Sequence, residues 1–294
     1  MQYFPAEARA IDRYVDLVQS CARASRLYFA EKAVPSFIAW CAGGLMRWPF
    51  LRHARRTTGD VLGELTQNRQ LIGVLTGQWG DFGLPPARSS FGVHAIIAEH
   101  YLEGAAYPAG AASRIAAAMA PAIERNGGKI LIHAEVSEIL VEQDRAVGVK
   151  LSDGRTIRAH RVVSGVGVAN TFGRLLPMPI AERYGLIEKL RVLEPSLAYI
   201  NLYVGLRQSA RELGLERTNL WIFPTPDHDR NLNAYLADPA APLPYVYFSF
   251  PSAKDPTFDE RFPGRSTVQV IAPASYGWFR PWEDRPWQRR GESQ

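Results

Sequence analysis

The stretch from Tyr107 to Gly167 places the strongest limits on what this chain can fold into. It contains an Ala-rich segment whose apolar residues recur at helical spacing, and Gly127-Gly128 then ends the helix, because glycine enters the left-handed conformation at little cost. Runs of β-forming residues follow, and we predict strands at Lys129–His133, Val136–Glu142, Val147–Leu151 and Thr156–Ser164. Asp153-Gly154 lies between the last two runs and indicates a hairpin. The stretch is therefore predicted to form a helix followed by a β-meander.

The composition is that of a globular protein with a sizeable core, since 47% of the 294 residues are hydrophobic and 21% are charged. The net charge is +5, but the basic residues are scattered and no nucleic-acid-binding motif accompanies them. We therefore expect no nucleic-acid partner. The first apolar run is short and interrupted by charged residues, which argues against a signal peptide. We expect a cytoplasmic protein, or one that contacts a membrane peripherally, without a transmembrane helix.

Residues that commonly bind metals are present but poorly spaced. Cys21 and Cys41 form no zinc-type motif. His94 and His100 are six apart on a predicted helix, so they do not share a face as two metal ligands would. Asp227-His228-Asp229 has no matching ligands elsewhere and is interpreted as a turn. We predict no metal site, and the signatures of serine hydrolases, zinc proteases, P-loop proteins and EF-hands are missing as well.

The remaining chain alternates between helical and extended patterns. Helices are predicted at 6–32, 57–75 and 90–102, and strands at 197–206, 245–250 and 267–273. Residues 76–90 are predicted to form a loop because Gly and Pro interrupt them repeatedly. Residues 223–243 are also predicted to form a loop, because they are rich in Pro and Asp.

The segment from Ala33 to Met46 carries no charge and has two interpretations. It is too short to span a bilayer, which takes about 20 apolar residues. Trp40 and Trp48 together with nearby arginines are typical of a segment that lies in a membrane interface. A buried core helix produces the same pattern, and we favour it on the sequence alone. A lipophilic substrate would favour the membrane.

Several motifs together resemble a known family of flavoproteins. Tyr107-Pro-Ala-Gly-Ala-Ala-Ser-Arg-Ile, Glu135-Val-Ser-Glu-Ile-Leu140 and Val162-Val-Ser-Gly165 resemble the FAD-dependent oxidoreductases that include phytoene desaturases and carotenoid isomerases. The block from Phe250 to Thr267 and the motif Ser90-Phe-Gly-Val-His-Ala resemble the retinol saturase (all-trans-retinol 13,14-reductase) branch of that family. The resemblance extends over nearly the whole chain.

The resemblance implies an α/β fold with a discontinuous arrangement. It places a partial FAD/NAD(P)-binding domain, a helix plus a β-meander, at 108–178. Pieces of a mixed α+β substrate domain are expected at 1–107 and 179–294. The strand, Gly-rich turn and helix that hold the FAD pyrophosphate in the family are not found in this sequence, nor is the later flavin-contacting segment. The chain is thus interpreted as a central fragment whose tail, from Trp278 to Gln294, is cut short.

The resemblance also implies flavin contacts at particular positions. The cofactor-binding residues that it implies are Tyr107, Pro108, Gly110, Val136, Ser164 and Gly165. Val136 would present its backbone to the adenine, and Ser164-Gly165 would pass beside the ribityl and phosphate groups. The family commonly has a second glycine where Ala111 stands. Plain alternatives are a core strand residue at 136, a strand-to-turn glycine pair at 165 and 167, and a helix-start turn at 107–110.

By the same resemblance, the chain is part of an FAD-dependent oxidoreductase, with NAD(P) as a second redox cofactor. It would act on a double bond of a retinoid, a carotenoid or a related isoprenoid by flavin hydride transfer. Tyr107, Tyr101 and His94 are chemically capable proton donors, and the sequence does not choose among them. Open alternatives are a carotenoid desaturase or cis-trans isomerase, and a non-catalytic lipophile-binding half that needs a separate FAD-binding half. Alone, the chain is expected to bind FAD weakly or not at all and to be inactive, because a helix N-terminus for the pyrophosphate is missing.

Overall fold

The computed structural model describes residues 2–193 and 196–282 and divides the chain into two compact units. Unit 1 consists of Met1–Arg114 and Leu197–Gln294, and unit 2 is Ile115–Ser196. The resemblance placed domain boundaries at 108 and 178. Which unit carries a cofactor stays a prediction. Each unit is described separately below.

The first segment of unit 1 is helical. Its helices are α1 (Ala8–Glu31), α2 (Ser36–Ala54), α3 (Thr58–Leu65), α4 (Arg69–Leu75) and α5 (Phe91–Glu103). The predicted helix at 57–75 is wrong as one element, because the chain is extended at Thr66 and Asn68. The Asn68 side chain accepts hydrogen bonds from the backbone N–H groups of Gln70 and Leu71 and so begins α4 as a new helix.

The core of this segment lies where α1, α2, α3 and α5 meet. Val18, Leu62 and Phe91 are fully enclosed there, and Tyr14 and Phe50 are nearly so. Burying side chains of this size contributes roughly 1.5–3 kcal/mol each. These contacts fix the positions of α1 and α5, which also line a cavity of about 830 Å³.

The favoured interpretation of residues 33–46 as a buried core helix is wrong. The segment runs into α2, and Gly43 is the one buried residue among these fourteen. Trp40 is 83% exposed and Leu45 is 80% exposed. Apolar side chains surround this helix on all sides, so the face directed away from α1 and α5 is left in contact with solvent. Every helix in the described residues is too short or too polar to cross a membrane.

Unit 2 contains the predicted helix and β-meander. Its elements are α6 (Ser113–Arg125, with residues from Ile115 in this unit), β1 (Val136–Glu142), β2 (Arg145–Leu151), β3 (Thr156–Arg158), α7 (Val168–Asn170), α8 (Met178–Arg183) and α9 (Leu186–Arg191), with a π-helical turn at Thr171–Leu175. The sheet is antiparallel in the order β1-β2-β3, and Gly154 takes a φ of 89° in the predicted hairpin.

Two predicted strands of unit 2 are wrong in whole or in part. Residues 129–133 form no strand, and β3 ends at Arg158 instead of continuing to Ser164. Both segments have apolar side chains suited to a strand. The Ala159 N–H still donates to the Val147 carbonyl of β2 at 2.9 Å, but beyond it, and along 129–133, no described strand is paired with the backbone. Their side chains face solvent, with Ile132 78% exposed and Val163 95% exposed. Apolar sequence alone therefore does not make a strand here.

The second segment of unit 1 adds a sheet. Its elements are β4 (Ala198–Leu206), β5 (Leu220–Ile222), α10 (His228–Ala237), β6 (Val246–Ser249), α11 (Pro251–Lys254), α12 (Phe258–Arg261) and β7 (Ser266–Ala274). The sheet is antiparallel in the order β4-β7-β6-β5. The predicted strands at 197–206, 245–250 and 267–273 are confirmed within two residues.

The predicted loop at 223–243 is wrong because it contains α10. Asp227 accepts a hydrogen bond from the Arg230 backbone N–H at 3.0 Å and is the N-cap of this helix. The Asp227-His228-Asp229 motif is thus a helix start. A 3-10 turn at Tyr276–Trp282 ends the described chain, and most of the predicted cut-short tail, 278–294, lies outside the described residues.

Candidate functional site

The loop at 107–111 is anchored by a buried carboxylate. Gly110 takes a φ of 87°, and its N–H donates to Asp255 Oδ1 at 2.9 Å. Asp255 also accepts from the N–H and hydroxyl of Thr257, at 3.0 and 2.9 Å, and forms an ion pair with Arg261. Burial alone would raise the pKa of Asp255, but these hydrogen bonds and the Arg261 charge lower it to about 2. The two stretches that carry the resemblance are thus hydrogen-bonded to each other.

The residue after Gly110 carries backbone strain. Ala111 takes a φ of 72°, in the left-handed region that a β-carbon disfavours by about 1–2 kcal/mol. This is the position where the resemblance leads one to expect a second glycine. The backbone thus adopts there a conformation that glycine would reach without strain.

The predicted turn at Ser164-Gly165, in unit 2, lines a cavity of about 580 Å³. Ser164 and Gly165 line it together with Ile139 of β1, and the Ser164 hydroxyl lies 2.7 Å from that of Thr171. Among the described residues, apart from its two neighbours in the chain, no heavy atom lies within 4 Å of where a β-carbon on Gly165 would stand. Val136 lies three residues before Ile139 on the same strand and does not line the cavity.

FAD, the cofactor that the resemblance implies, fits these residues in part. The open space at Gly165 and Gly167 allows close approach of a cofactor to the backbone, and the neighbouring cavity is large enough for part of one. The helix that follows, α7, has only three residues. Among the described residues, no long helix begins at a Gly-rich turn after a strand, which is the arrangement that holds a pyrophosphate.

The three candidate proton donors have different surroundings. His94 is completely buried, and its Nε2 lies 2.9 Å from the Tyr14 hydroxyl. Burial lowers the pKa of His94 to about 4. Tyr101 is half-exposed and donates to Asp81 at 2.7 Å, and burial and Asp81 raise its pKa. Burial and the Asp255 charge likewise raise the pKa of Tyr107. The two tyrosines are therefore accessible, whereas His94 is enclosed.

A larger cavity of about 830 Å³ lies within unit 1, and we call it the unit 1 cavity. Its walls come from α1, α4, α5 and the chain at 221–228, which His228 ties to α4 by a 2.8 Å contact from Nε2 to the Gly73 carbonyl. Trp221 and Phe223 stack with ring planes 10° apart. Sequence analysis missed both residues, although the run of aromatic residues and prolines at 221–226 was a visible signal.

Metal ligands are not gathered anywhere in the described part of the chain, since no three His, Cys, Asp or Glu side chains cluster there. Cys21 is buried and Cys41 is exposed. The side chains described above supply hydrogen-bonding groups, apolar surface and tyrosine hydroxyl groups.

The chain is similar to known flavoproteins over most of its length. The family described as flavin containing amine oxidoreductase matches residues 71–257. The all-trans-retinol 13,14-reductase of Danio rerio is 36% identical over 96% of this chain and 48% of its own length. That of Homo sapiens is 34% identical over 98% of this chain and 49% of its own length. Prolycopene isomerase 1 of an Oncidium hybrid cultivar is 28% identical over 52% of this chain and 26% of its own length. The chain spans about half the length of the reductases that it matches.

Proposed function

This chain belongs to the flavin-containing amine oxidoreductase family, and we propose that it is part of an enzyme that saturates a double bond of a retinoid or related isoprenoid. The observation that carries the proposal is the 36% identity to an all-trans-retinol 13,14-reductase over 96% of the chain. The carotenoid alternative is weaker, because the isomerase matches at 28% over about half of the chain. NAD(P) stays the predicted second redox cofactor, and no described residue is assigned to it.

When bound, FAD supplies the hydride chemistry. In our proposal Ser164 and Gly165 pass beside the cofactor in unit 2, and Val136 offers its backbone to the adenine. In unit 1, Tyr107, Pro108 and Gly110 form a second contact loop, whose shape Asp255 fixes through the Gly110 N–H. Tyr107 is the partly exposed hydroxyl group proposed to deliver a proton to the second carbon of the double bond, because the Tyr101 hydrogen is already donated to Asp81.

We further propose that additional polypeptide completes unit 2. The unpaired segment at 129–133 and the exposed Val163 and Val166 are surfaces that a packed flavin domain would cover. A strand followed by a Gly-rich turn and a helix, either joined to this chain or from a separate half, would pair with the open backbone and supply the pyrophosphate site. This supports the expectation that the chain alone is inactive.

Product analysis tests the proposed reaction. The chain, and the chain extended by the coding sequence that flanks it, are each supplied with FAD, dithionite and all-trans-retinol without oxygen. We expect the extended form to yield a product with two added hydrogens at the 13,14 bond. Parallel reactions contain prolycopene under the same conditions, or phytoene with oxidised FAD and a quinone as electron acceptor in place of dithionite. Conversion of a carotenoid but not of retinol would establish the alternative enzyme, and retinol binding without any conversion would favour the non-catalytic half.

We also propose that α2 contacts a membrane peripherally. Phe37, Trp40, Leu45 and Trp48 are exposed on one side of this helix, which continues with Arg52, so its apolar face ends in positive charge. The Arg52 guanidinium lies 5.5 Å from the Trp48 ring. Tryptophan beside arginine suits the boundary between acyl chains and anionic headgroups. A lipophilic substrate would reach the enzyme from that boundary.

Vesicle binding tests this contact. The chain is sedimented with vesicles of phosphatidylcholine containing phosphatidylglycerol, and we expect the Trp40→Ser/Leu45→Ser variant to lose at least tenfold in partitioning. Tyr203→Ser is the matched control, because Tyr203 is 74% exposed on β4 of the same unit. Equal binding by all three proteins would contradict the proposed contact. Insensitivity of binding to the phosphatidylglycerol content would contradict the role of the arginine.

A further inference from the structure

The lining of the unit 1 cavity is apolar and aromatic. Leu75 and Ala98 contribute aliphatic surface, and Trp221 and Phe223 form a stacked aromatic wall. None of the described residues that line it is Lys, Arg, Asp or Glu, and burial lowers the pKa of His228, which keeps that ring neutral. Pockets for small molecules span roughly 300–1,000 Å³ and are mostly apolar, so this cavity has the size and character of a lipid-binding site.

One polar group in the lining is already oriented. The Tyr101 O–H donates to Asp81 Oδ2 at 2.7 Å, so its hydrogen is committed. The phenol oxygen keeps a lone pair that can accept a hydrogen bond. A neutral alcohol can donate that hydrogen bond. An ionised carboxylate cannot, and the carboxylate would also be repelled by the partial negative charge of the Tyr101–Asp81 pair. The cavity is therefore built for an apolar chain that ends in a hydroxyl group.

We propose that the unit 1 cavity binds the isoprenoid chain of a neutral lipid alcohol such as all-trans-retinol, with the alcohol donating to Tyr101. The inference rests on the proposed function for its ligand class and deepens it by naming the binding residues. Binding of the alcohol in this cavity needs neither FAD nor turnover, because every residue that lines the cavity belongs to unit 1.

Energy transfer from tryptophan to retinol provides the test. Every tryptophan of the chain belongs to the two segments of unit 1, and Trp221 is in the cavity wall, so bound retinol should quench tryptophan emission. The complete chain is titrated with all-trans-retinol and with retinoic acid. We expect retinol to bind at least tenfold more tightly, and we expect Tyr101→Phe to reduce that preference to less than threefold.

Two variants that keep the core intact locate the ligand. Leu102→Glu places a charge in the cavity, and Val74→Trp fills it. Both side chains are more than half exposed, so neither change disturbs the folded interior. We expect each to raise the Kd for retinol at least tenfold. Val93→Glu is the matched control for Leu102→Glu, because Val93 is a 43% exposed residue of the same helix that does not line the cavity, and its Kd should stay unchanged.

The outcomes separate this inference from the proposed enzyme. Retinol binding that Leu102→Glu and Val74→Trp leave unchanged would overturn the cavity assignment, even if the extended protein saturates retinol. Loss of binding in both variants would support the assignment, even if no conversion of retinol is found. Tighter binding of retinoic acid than of retinol would overturn the role given to Tyr101.

Discussion

Ala111 holds a left-handed backbone conformation next to an anchored glycine. The Gly110 N–H donates to Asp255, and the following residue, Ala111, turns with a positive φ. The β-carbon of alanine opposes that turn. The anchored loop is therefore slightly strained at the position where the resemblance leads one to expect a second glycine.

Replacing this alanine by glycine should stabilise unit 1. We expect Ala111→Gly to raise the free energy of unfolding by about 1 kcal/mol, because the strain is released although the unfolded chain gains some freedom. Urea unfolding followed by tryptophan fluorescence measures the change. Ala234→Gly, at an exposed site inside α10, is the control and should lower stability by about 1 kcal/mol. A loss of stability in Ala111→Gly would show that the turn is not strained.

His94 is a buried titratable residue whose charge the fold excludes. Burial lowers its pKa to about 4, compared with an ordinary value of 6.5. As the pH falls below 6.5 the unfolded chain takes up the proton first, so stability is lost between pH 6.5 and about 4 and is complete above that window. The loss attributable to this residue is about 3 kcal/mol.

His94→Gln should reduce this pH dependence. Its unfolding free energy, from urea titrations at pH 7.0, 6.0, 5.0 and 4.5, should fall less steeply with acid than that of the unmodified protein. His228 also has a pKa lowered by burial, but it is present in both proteins and cancels in the difference. His100→Gln, on the exposed side of the same helix, should leave the slope as it was. Parallel curves for all three proteins would mean that the pKa of His94 is the same in the folded and the unfolded states.

At the scale of elements, α10 shows how one side chain decides between loop and helix. Its sequence contains Asp and Asn and follows Pro224 and Pro226, which is typical of a loop. The Asp227 carboxylate satisfies a backbone N–H at the helix start, and Leu232 and Tyr235 are buried on one face. Capping and burial together outweigh the unfavourable composition.

Removing the cap should weaken this helix measurably. We expect Asp227→Ala to lower the free energy of unfolding by about 1 kcal/mol. Asn233→Ala, at an exposed position inside the helix, is the control and should change stability little or raise it slightly, because alanine favours helices. An effect of equal size in both variants would point to general helix propensity instead of the cap.

Prediction from sequence succeeded where local pattern and turn chemistry agree. β1 and β2, the hairpin at Asp153-Gly154 and β7 follow from alternation and glycine placement. The unpaired segment at 129–133 was mispredicted, because the need for a neighbouring strand is not visible in its own residues. The unit 1 cavity could not be predicted either, because Tyr101 and Trp221 come together from positions more than a hundred residues apart.

At the scale of the whole molecule, we propose that the chain carries part of what holds a flavin. In that proposal the turn at Ser164-Gly165 of unit 2 and the loop at 107–110 of unit 1 each offer backbone contacts, but the described residues lack a long helix for the pyrophosphate. Charge stabilisation at such a helix N-terminus is a large share of dinucleotide binding. The contacts proposed for the residues of this chain should therefore be too weak to retain the cofactor without that helix.

We therefore expect the purified and desalted chain to be colourless. Its absorbance near 450 nm should correspond to well under one flavin per ten chains, and the extended form should retain close to one per chain. Released flavin is identified by chromatography. Retention of one FAD by the unextended chain would contradict the importance given to the pyrophosphate site.

The contact between Gly73 and His228 joins residues that are 155 positions apart, and all of unit 2 lies between them in the chain. A ribosome that adds 5–20 residues per second separates the appearance of these two partners by roughly 10–30 s. During that interval the strands and helices of unit 2 can begin to fold, whereas the cavity walls on α4 and α5 stay exposed on the nascent chain. The yield of folded unit 1 should thus depend on how fast the codons of unit 2 are translated and on which chaperones hold the waiting helices.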